Sequence, residues 1–212
     1  MKKATEKDKE TIISHRLKVI FENSFELKSF FEEELKSIYW VDTAIMKMLA
    51  RMGENSISDE LFTSMEDHIN VKEEQLRRLE EIFNANDFYP EQIHCKAFSV
   101  LIKELEHVTT VTDLGIVRDS WIISVMQKIE FYVITSYGTL RTFANLLGQN
   151  EVADLLQQTL DEEKAYTLEL NAVSDLLYKD FKDIVEVNRN VKTDKYFFHS
   201  GFEQFQGIHR QS

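Results

Sequence analysis

Apolar residues recur at alternating spacings of three and four along four long stretches of this chain, which is the pattern of amphipathic helices. Polar and charged residues fill most of the positions between them, so each stretch has one apolar face and one solvated face. We therefore predict four long helices. Their apolar stripes cover residues 31–52, 62–83, 122–147 and 152–177.

The residues at the ends of these stripes are typical of helix boundaries. Gly53 and Gly148 follow the first and third stripes, and glycine readily ends a helix. Ser58 or Asp59 can cap the second helix and Asn150 the fourth, because their side chains accept hydrogen bonds from free backbone N–H groups. Short loops thus join the helices into two hairpins.

The connection between the two hairpins is longer. Residues 84–90 contain Asn, Asp and the only proline, Pro90, and a shorter helical stretch follows at about residues 91–107. Two hairpins joined by one long crossover predict an all-α fold, a ferritin-like four-helix bundle with a short helix in its crossover. Four amphipathic helices can also pack in other topologies, which the pattern leaves open.

Composition supports this fold and argues against several classes of function. One Pro and six Gly in 212 residues are too few for the many tight connections of a β-sandwich or an α/β fold. The single Cys95 leaves no intrachain disulfide and favours a reducing compartment. A net charge of −12 argues against nucleic-acid binding, which needs a basic surface. The polar N-terminus is unlike a secretory signal and no apolar run could cross a membrane, so we expect a cytoplasmic protein.

The two ends of the chain differ from the helical stretches. We assign residues 1–22 to a polar tail that can be partly helical, residues 23–187 to the bundle and residues 188–212 to an aromatic-rich arm without helical periodicity. Aromatic rings carry large apolar area, which favours an arm packed on the bundle or on a neighbouring subunit over a recognition tail. The rings of the arm are Tyr196, Phe197, Phe198, Phe202 and Phe205.

Charged residues interrupt the apolar stripes near the middle of three helices. Asp42 lies on the first stripe, Lys72 on the second and Glu163 on the fourth. The third stripe has Val133 at this level, with Glu130 about one turn earlier. Isolated charges are costly to bury, so we expect these groups to be paired, bound to metal or displaced toward solvent.

Carboxylates that converge from four helices can form a dinuclear metal site, in which two helices each supply a Glu and two each supply a Glu-x-x-His pair. Carboxylate oxygens and imidazole suit iron or manganese. Here Val133 and Tyr166 stand where a His would follow Glu130 and Glu163. Two Glu-x-x-His pairs do occur in the crossover, where a solvated helix face is the preferred interpretation. They are Glu91 with His94 and Glu104 with His107.

Four segments, residues 35–42, 68–80, 129–140 and 159–164, carry the pattern of a known family. The most specific motif is Glu-x-Tyr-x-x-x-Ser-Tyr-Gly-Thr-Leu at residues 130–140. Over about residues 27–177 the chain resembles the bacterial YciE/YciF-like branch of the ferritin-like superfamily. The resemblance implies a four-helix bundle, usually dimeric, that is associated with stress responses and in several members binds a pair of metal ions.

Carried over residue by residue, the resemblance implies a ligand set for iron or manganese. Its members in this chain are Asp42, His68, Glu130, Glu162 and Glu163. Other ligand positions of the family pattern hold residues that cannot supply the same donor and charge, so we expect no intact dinuclear centre. These positions are Val71, Phe131, Val133 and Thr167.

Lys72 suggests a physical alternative to a metal pair. Its ammonium can reach toward Asp42, Glu130 or Glu163 and replace part of the lost metal charge, which would leave a structural polar core of these four residues. The opposing interpretation is that Lys72 extends along its aliphatic stem to solvent.

Three hypotheses about function follow. The favoured one is a non-catalytic ferritin-like protein, stress-associated by resemblance, which forms a homodimer and has no cofactor and no nucleic-acid or membrane partner. The competing one is a di-iron or di-manganese carboxylate oxidoreductase, or a peroxide-consuming protein, that uses the implied ligands in an unusual arrangement. The third is a bundle that serves mainly as a platform for the C-terminal arm.

Overall fold

The computed structural model of the protein describes residues 6–190, and the side chains of residues 24–183. The described backbone forms five α-helices, so the all-α fold class is confirmed. The helices are α1 (Glu6–Gly53), α2 (Asp59–Ala85), α3 (Lys96–Val111), α4 (Ile116–Leu146) and α5 (Asn150–Asn190).

The four long helices form a bundle of two hairpins. Helix α1 packs against α2 and α4 against α5, while α1 also contacts α4 and α2 contacts α5. Residues 54–58 and 147–149 are short connections, so the two helices of each hairpin run antiparallel. The long crossover, residues 86–115, contains α3, which packs on α4. This is the ferritin-like arrangement predicted from the sequence.

The helix ends follow local chemistry, with one correction. Ser58 caps α2, because its Oγ accepts a hydrogen bond from the Leu61 N–H at 3.1 Å. Gly148 ends the α4 turn at a φ of +74°, a conformation that favours glycine. The prediction that Asn150 caps α5 is wrong. The Ala153 N–H bonds to the Gln149 carbonyl at 2.9 Å, which makes Asn150 the first residue inside the helix.

The crossover helix begins later than the apolar pattern predicts. Residues 91–95 are not helical, and the Ile93 N–H donates to the Lys36 carbonyl of α1 at 3.2 Å instead of continuing a turn. Cys95 then caps α3, since its Sγ accepts from the Phe98 N–H at 3.4 Å. A contact between distant parts of the chain therefore sets this boundary.

At the ends of the chain, the helices run farther than the apolar stripes. Helix α1 begins at Glu6, within the predicted tail, and α5 continues to Asn190. Residues 1–5 and 191–212, and with them the aromatic arm, lie outside the described residues. The division into tail, bundle and arm stays a prediction. None of the described helices combines the length and the apolar character needed to span a membrane.

Candidate functional site

The charged residues that interrupt the apolar stripes meet in the middle of the bundle. Asp42 from α1, Lys72 from α2, Glu130 from α4 and Glu163 from α5 are all completely buried. His68, one turn before Lys72 on α2, is buried with them. Each lies on the inward face of its helix because its spacing from the neighbouring apolar residues is three or four.

Lys72 and its partners form one side of this centre, which we call the paired half. The Lys72 ammonium donates to Asp42 Oδ1 at 2.9 Å and to Glu163 Oε1 at 2.7 Å. The Tyr137 hydroxyl donates to the other oxygen of Asp42. Lys72 therefore does not extend to solvent, and both oxygens of Asp42 have a hydrogen-bond donor.

His68, Glu130 and the second oxygen of Glu163 form the other side, which we call the open half. His68 Nε2 lies 3.9 Å from Glu130 Oε1 and 3.8 Å from Glu163 Oε2. Within the described part of the chain, His68 Nε2, Glu163 Oε2 and both oxygens of Glu130 have no hydrogen-bond partner while both carboxylates are ionised. A proton on Glu130 allows its carboxyl group to donate to the Glu163 carboxylate. The His68 ring stacks on Tyr166 with the ring centres 3.5 Å apart, which restricts its orientation.

Charge and burial set the protonation states in the paired half. Burial opposes ionisation of Lys72, but the carboxylates of Asp42 and Glu163 raise its pKa overall, so the ammonium stays charged. Burial also opposes ionisation of Glu163, yet the charge of Lys72 lowers the pKa of Glu163 to about 2. The pKa of Asp42 is raised, because burial outweighs the attraction of Lys72.

In the open half, burial dominates. It raises the pKa of Glu130 well above its ordinary value, and the neighbouring Glu163 raises it further. Burial lowers the pKa of His68 to about 3. Burial thus favours the protonated form of Glu130 and keeps the His68 imidazole neutral at neutral pH, and neutral imidazole is the form that binds metal ions.

Glu162, the remaining member of the implied ligand set, lies apart from the centre. Its two oxygens accept hydrogen bonds from the two terminal nitrogens of Arg78, each at 2.9 Å. Arg78 also donates to the Thr159 hydroxyl at 2.6 Å. Successive helix positions are rotated by about 100°, so Glu162 and Glu163 face different neighbours. The structure brings together four of the five implied ligands and assigns Glu162 to an ion pair.

The replaced family positions are not equivalent in the structure. Phe131 is 64% exposed, so a His at this position would point away from the centre. Its replacement therefore does not bear on metal binding. Val133 is completely buried in the core and supplies no donor. Thr167 donates through its hydroxyl to the Glu163 backbone carbonyl at 3.0 Å, a local helix contact.

The Glu-x-x-His pairs of the crossover have other partners. Glu91 accepts a hydrogen bond from Lys36 at 3.2 Å, and Glu104 pairs with Lys128 at 2.5 Å. His94 contacts the Ser99 hydroxyl at 2.8 Å. Among the described side chains, neither pair belongs to a group of three possible metal ligands.

The contacts of Tyr137 and Arg78 are not predicted by the sequence pattern. Tyr137 lies seven residues after Glu130, which is two helical turns and the same face of α4, so its position pointed toward the centre. Arg78 carries no comparable signal, because a basic residue on α2 could equally well face solvent.

The residues present do not fit a pair of metal ions. One divalent ion on each side of Glu163 would require both carboxylate oxygens, but the Lys72 ammonium already binds Oε1. Two divalent ions together with Lys72 would also leave the centre with excess positive charge against Asp42, Glu130 and Glu163, which is costly in a buried site.

Comparison with known proteins identifies the class of this bundle. Residues 26–182 match the family described as Domain of unknown function (DUF892). The chain belongs to this family of helical proteins, and the predicted membership of the YciF-like family is confirmed. Protein YciF of Escherichia coli strain K12 is 30% identical over 145 residues, which cover 68% of this chain and 87% of that protein.

Solved structures agree with this assignment. The crystal structure of the E. coli stress protein YciF has a TM-score of 0.70 at 28% identity and covers 72% of this chain and 97% of its own. YcfI of Rhodopseudomonas palustris, for which a structural role has been suggested, has a TM-score of 0.66 at 31% identity, covering 68% and 92%. A Xanthomonas campestris protein at 18% identity and a TM-score of 0.62, covering 76% and 99%, shares the fold.

Proposed function

We propose that this protein is a non-catalytic member of the YciF-like family, in which a structural polar core replaces a dinuclear metal centre. The observation that carries the proposal is the position of Lys72, whose ammonium bridges Asp42 and Glu163 in the middle of the bundle. A fixed ammonium has no redox chemistry. It supplies positive charge to the carboxylates without the electrons that a di-iron or di-manganese oxidoreductase needs.

The biological setting of this proposal comes from the relatives. The E. coli YciF protein is described as a stress protein, and we extend a stress-associated role to this chain. We also propose a cytoplasmic homodimer. Several large apolar side chains on the bundle surface support self-association, among them Phe30 at 59% exposure and Phe131 at 64%. Light scattering of the purified full chain tests the dimer, which a monomeric mass would contradict.

Elemental analysis and peroxide turnover test the non-catalytic assignment. The full chain is purified after growth with added iron and manganese, and its metal content and rate of peroxide consumption are measured. We expect no dinuclear loading and no peroxide turnover. Two metal ions per chain, lost in Glu130→Ala together with peroxide consumption, would overturn the proposal in favour of the oxidoreductase.

The open half is the observation that favours the second candidate. His68, Glu130 and Glu163 each offer a ligand atom, and these atoms lie within 4.8 Å of one another. Within the described residues this is the one such group, and it supplies donors on one side of Glu163 only. A dinuclear oxidoreductase needs donors for two ions, so we rank this candidate second.

A further inference from the structure

We propose that the open half binds a single divalent cation through His68, Glu130 and Glu163, while the Lys72 ammonium permanently occupies the place of a second cation. The inference rests on the proposed function, because it assumes that the dinuclear centre has been lost. It goes beyond that function by assigning a ligand to the half of the centre that Lys72 does not fill.

Several buried polar atoms of the open half lack hydrogen-bond partners among the described residues. Buried polar groups are nearly always hydrogen-bonded, and leaving one unpaired costs about 1–3 kcal/mol. Among the described residues, four such atoms from His68, Glu130 and Glu163 lack a partner at one place in the core when both carboxylates are ionised, because two carboxylates can bond to each other only through a proton on one of them. They come from α2, α4 and α5, so no single local distortion of one helix accounts for them.

The net charge of the buried centre also favours one divalent cation. With all three carboxylates ionised, Asp42, Glu130 and Glu163 outweigh Lys72 by two negative charges. A proton on Glu130 removes one of these charges, whereas one divalent cation removes both. A second divalent cation would reverse the sign. A neutral buried centre is therefore reached with one divalent ion and Lys72 together.

The donor atoms of the open half and their spacing suit a divalent metal ion. One neutral imidazole and two carboxylates suit Mn²⁺, Fe²⁺ or Zn²⁺ rather than a monovalent ion. At bond lengths of about 2.1 Å, two donors on one ion lie up to about 4.2 Å apart. The separations of 3.8 and 3.9 Å from His68 Nε2 to Glu163 and Glu130 lie within this limit.

Lys72 explains why one ion, and not two, is expected. It binds Glu163 Oε1, so this carboxylate offers only Oε2 to the open half. Lys72 also binds Asp42 Oδ1, and Tyr137 binds Asp42 Oδ2, so Asp42 is occupied as well. The paired half thus borders the proposed site and supplies no further ligand atoms to it.

Manganese titration tests the inference. The full chain is stripped with EDTA, dialysed and titrated with MnCl₂, and bound Mn²⁺ is counted from the loss of the free-ion EPR signal. We expect one Mn²⁺ per chain with an uncoupled, mononuclear spectrum. In Glu130→Gln and His68→Gln we expect the Kd to rise by roughly tenfold or more, because each variant loses a ligand.

Two further variants make the test specific. Glu73 lies on the exposed face of α2 beside Lys72, so Glu73→Gln is a matched control with an unchanged Kd. Glu162→Gln separates the three-residue site from the wider ligand set implied by family resemblance, and we expect it to leave the stoichiometry at one. Circular dichroism and thermal melts of every variant show whether it is folded.

Each outcome decides between the two proposals. One Mn²⁺ that depends on Glu130 and His68 supports the inference. No bound Mn²⁺, or one that both variants retain, overturns the inference and leaves the proposed function standing. Two Mn²⁺ per chain with an exchange-coupled spectrum overturn both. If Glu130→Gln is unfolded, His68→Gln alone carries the comparison.

Discussion

The two oxygens of the Glu163 carboxylate lie in different surroundings. Oε1 accepts a hydrogen bond from the buried ammonium of Lys72, whereas Oε2 faces His68 at 3.8 Å and, within the described part of the chain, has no hydrogen-bond partner while Glu130 is ionised. The paired half is satisfied by the chain's own side chains. The open half is equally buried, but among the described residues its ionised carboxylates and the His68 nitrogen have no such donors or acceptors. Burial alone therefore does not tell a structural polar core from a binding site, and the satisfaction of each polar atom is the better criterion.

The same contrast applies to adjacent residues of α5. Glu162 and Glu163 are neighbours in sequence, but Glu162 is partly exposed and paired with Arg78, while Glu163 is buried between Lys72 and His68. A carboxylate's role in this bundle depends on which helix faces it.

Among the changes that test the contrast between the two halves, removing the Lys72 charge is expected to have the largest effect on the free energy of unfolding. Lys72→Met keeps most of the aliphatic stem but leaves Asp42 and Glu163 without their cation, so we expect a loss of about 3–5 kcal/mol in the free energy of unfolding. Urea denaturation measures it. The control is Lys128→Met, which removes an exposed ion pair with Glu104 and should cost less than about 1 kcal/mol. Equal losses of stability in the two variants would contradict the buried ion pairs of Lys72 with Asp42 and Glu163.

The acid limb of the stability curve reports on His68. Its pKa is lowered to about 3 by burial, so below pH 6.5 the unfolded chain binds a proton that the folded chain does not. In EDTA, stability is expected to fall as the pH drops from 6.5 toward 3, by up to about 1.4 kcal/mol per pH unit from this residue. The difference between urea curves of the wild type and His68→Gln isolates the effect. Parallel curves would show that His68 is not buried in neutral form.

Tyr137→Phe tests the hydrogen bond to Asp42. The change removes one hydroxyl from a completely buried ring and leaves Asp42 Oδ2 without a donor. Hydrogen bonds to charged groups contribute about 1.5–3 kcal/mol, and we expect a loss of this size in urea denaturation. Tyr178→Phe, at a ring that is 71% exposed, is the control and should be neutral. If Tyr137→Phe leaves the free energy of unfolding unchanged, Asp42 does not depend on this donor.

The smallest effect is expected in the open half, with Glu130→Gln. The pKa of Glu130 is raised, so above pH 4.5 the wild type loses stability because the folded chain keeps a proton that the unfolded chain releases. Glutamine removes this loss. In EDTA we therefore expect stability equal to or above that of the wild type, with a larger advantage at pH 8 than at pH 5. A marked destabilisation at pH 8 would place Glu130 in an essential ion pair.

Much of the fold could be predicted because its signals are local. The stripes of apolar residues, the cap at Ser58 and the stop at Gly148 depend on residues within one or two turns, and the structure has them at these positions. The start of α3 was misplaced because it depends on a hydrogen bond between Ile93 and Lys36, which are far apart in sequence.

The candidate site was predictable in part. Asp42, Lys72 and Glu163 stood out because each breaks an apolar stripe. His68 was included only through family resemblance and Tyr137 did not stand out, since an aromatic or imidazole ring on an inner face is usual in a core. Glu162 was included through family resemblance, and its contact with Arg78 is absent from any pattern along the chain.

The sequence by itself determined an all-α chain with four long amphipathic helices, short loops within each hairpin and charges on the inner stripes. Helical periodicity is a local property, so it can be read from spacing alone. Only the tertiary structure decided which charges meet, that Lys72 binds one side of Glu163, and that the other side is left to His68 and Glu130. Those contacts depend on the rotation and height of one helix against another, which packing across the whole bundle sets.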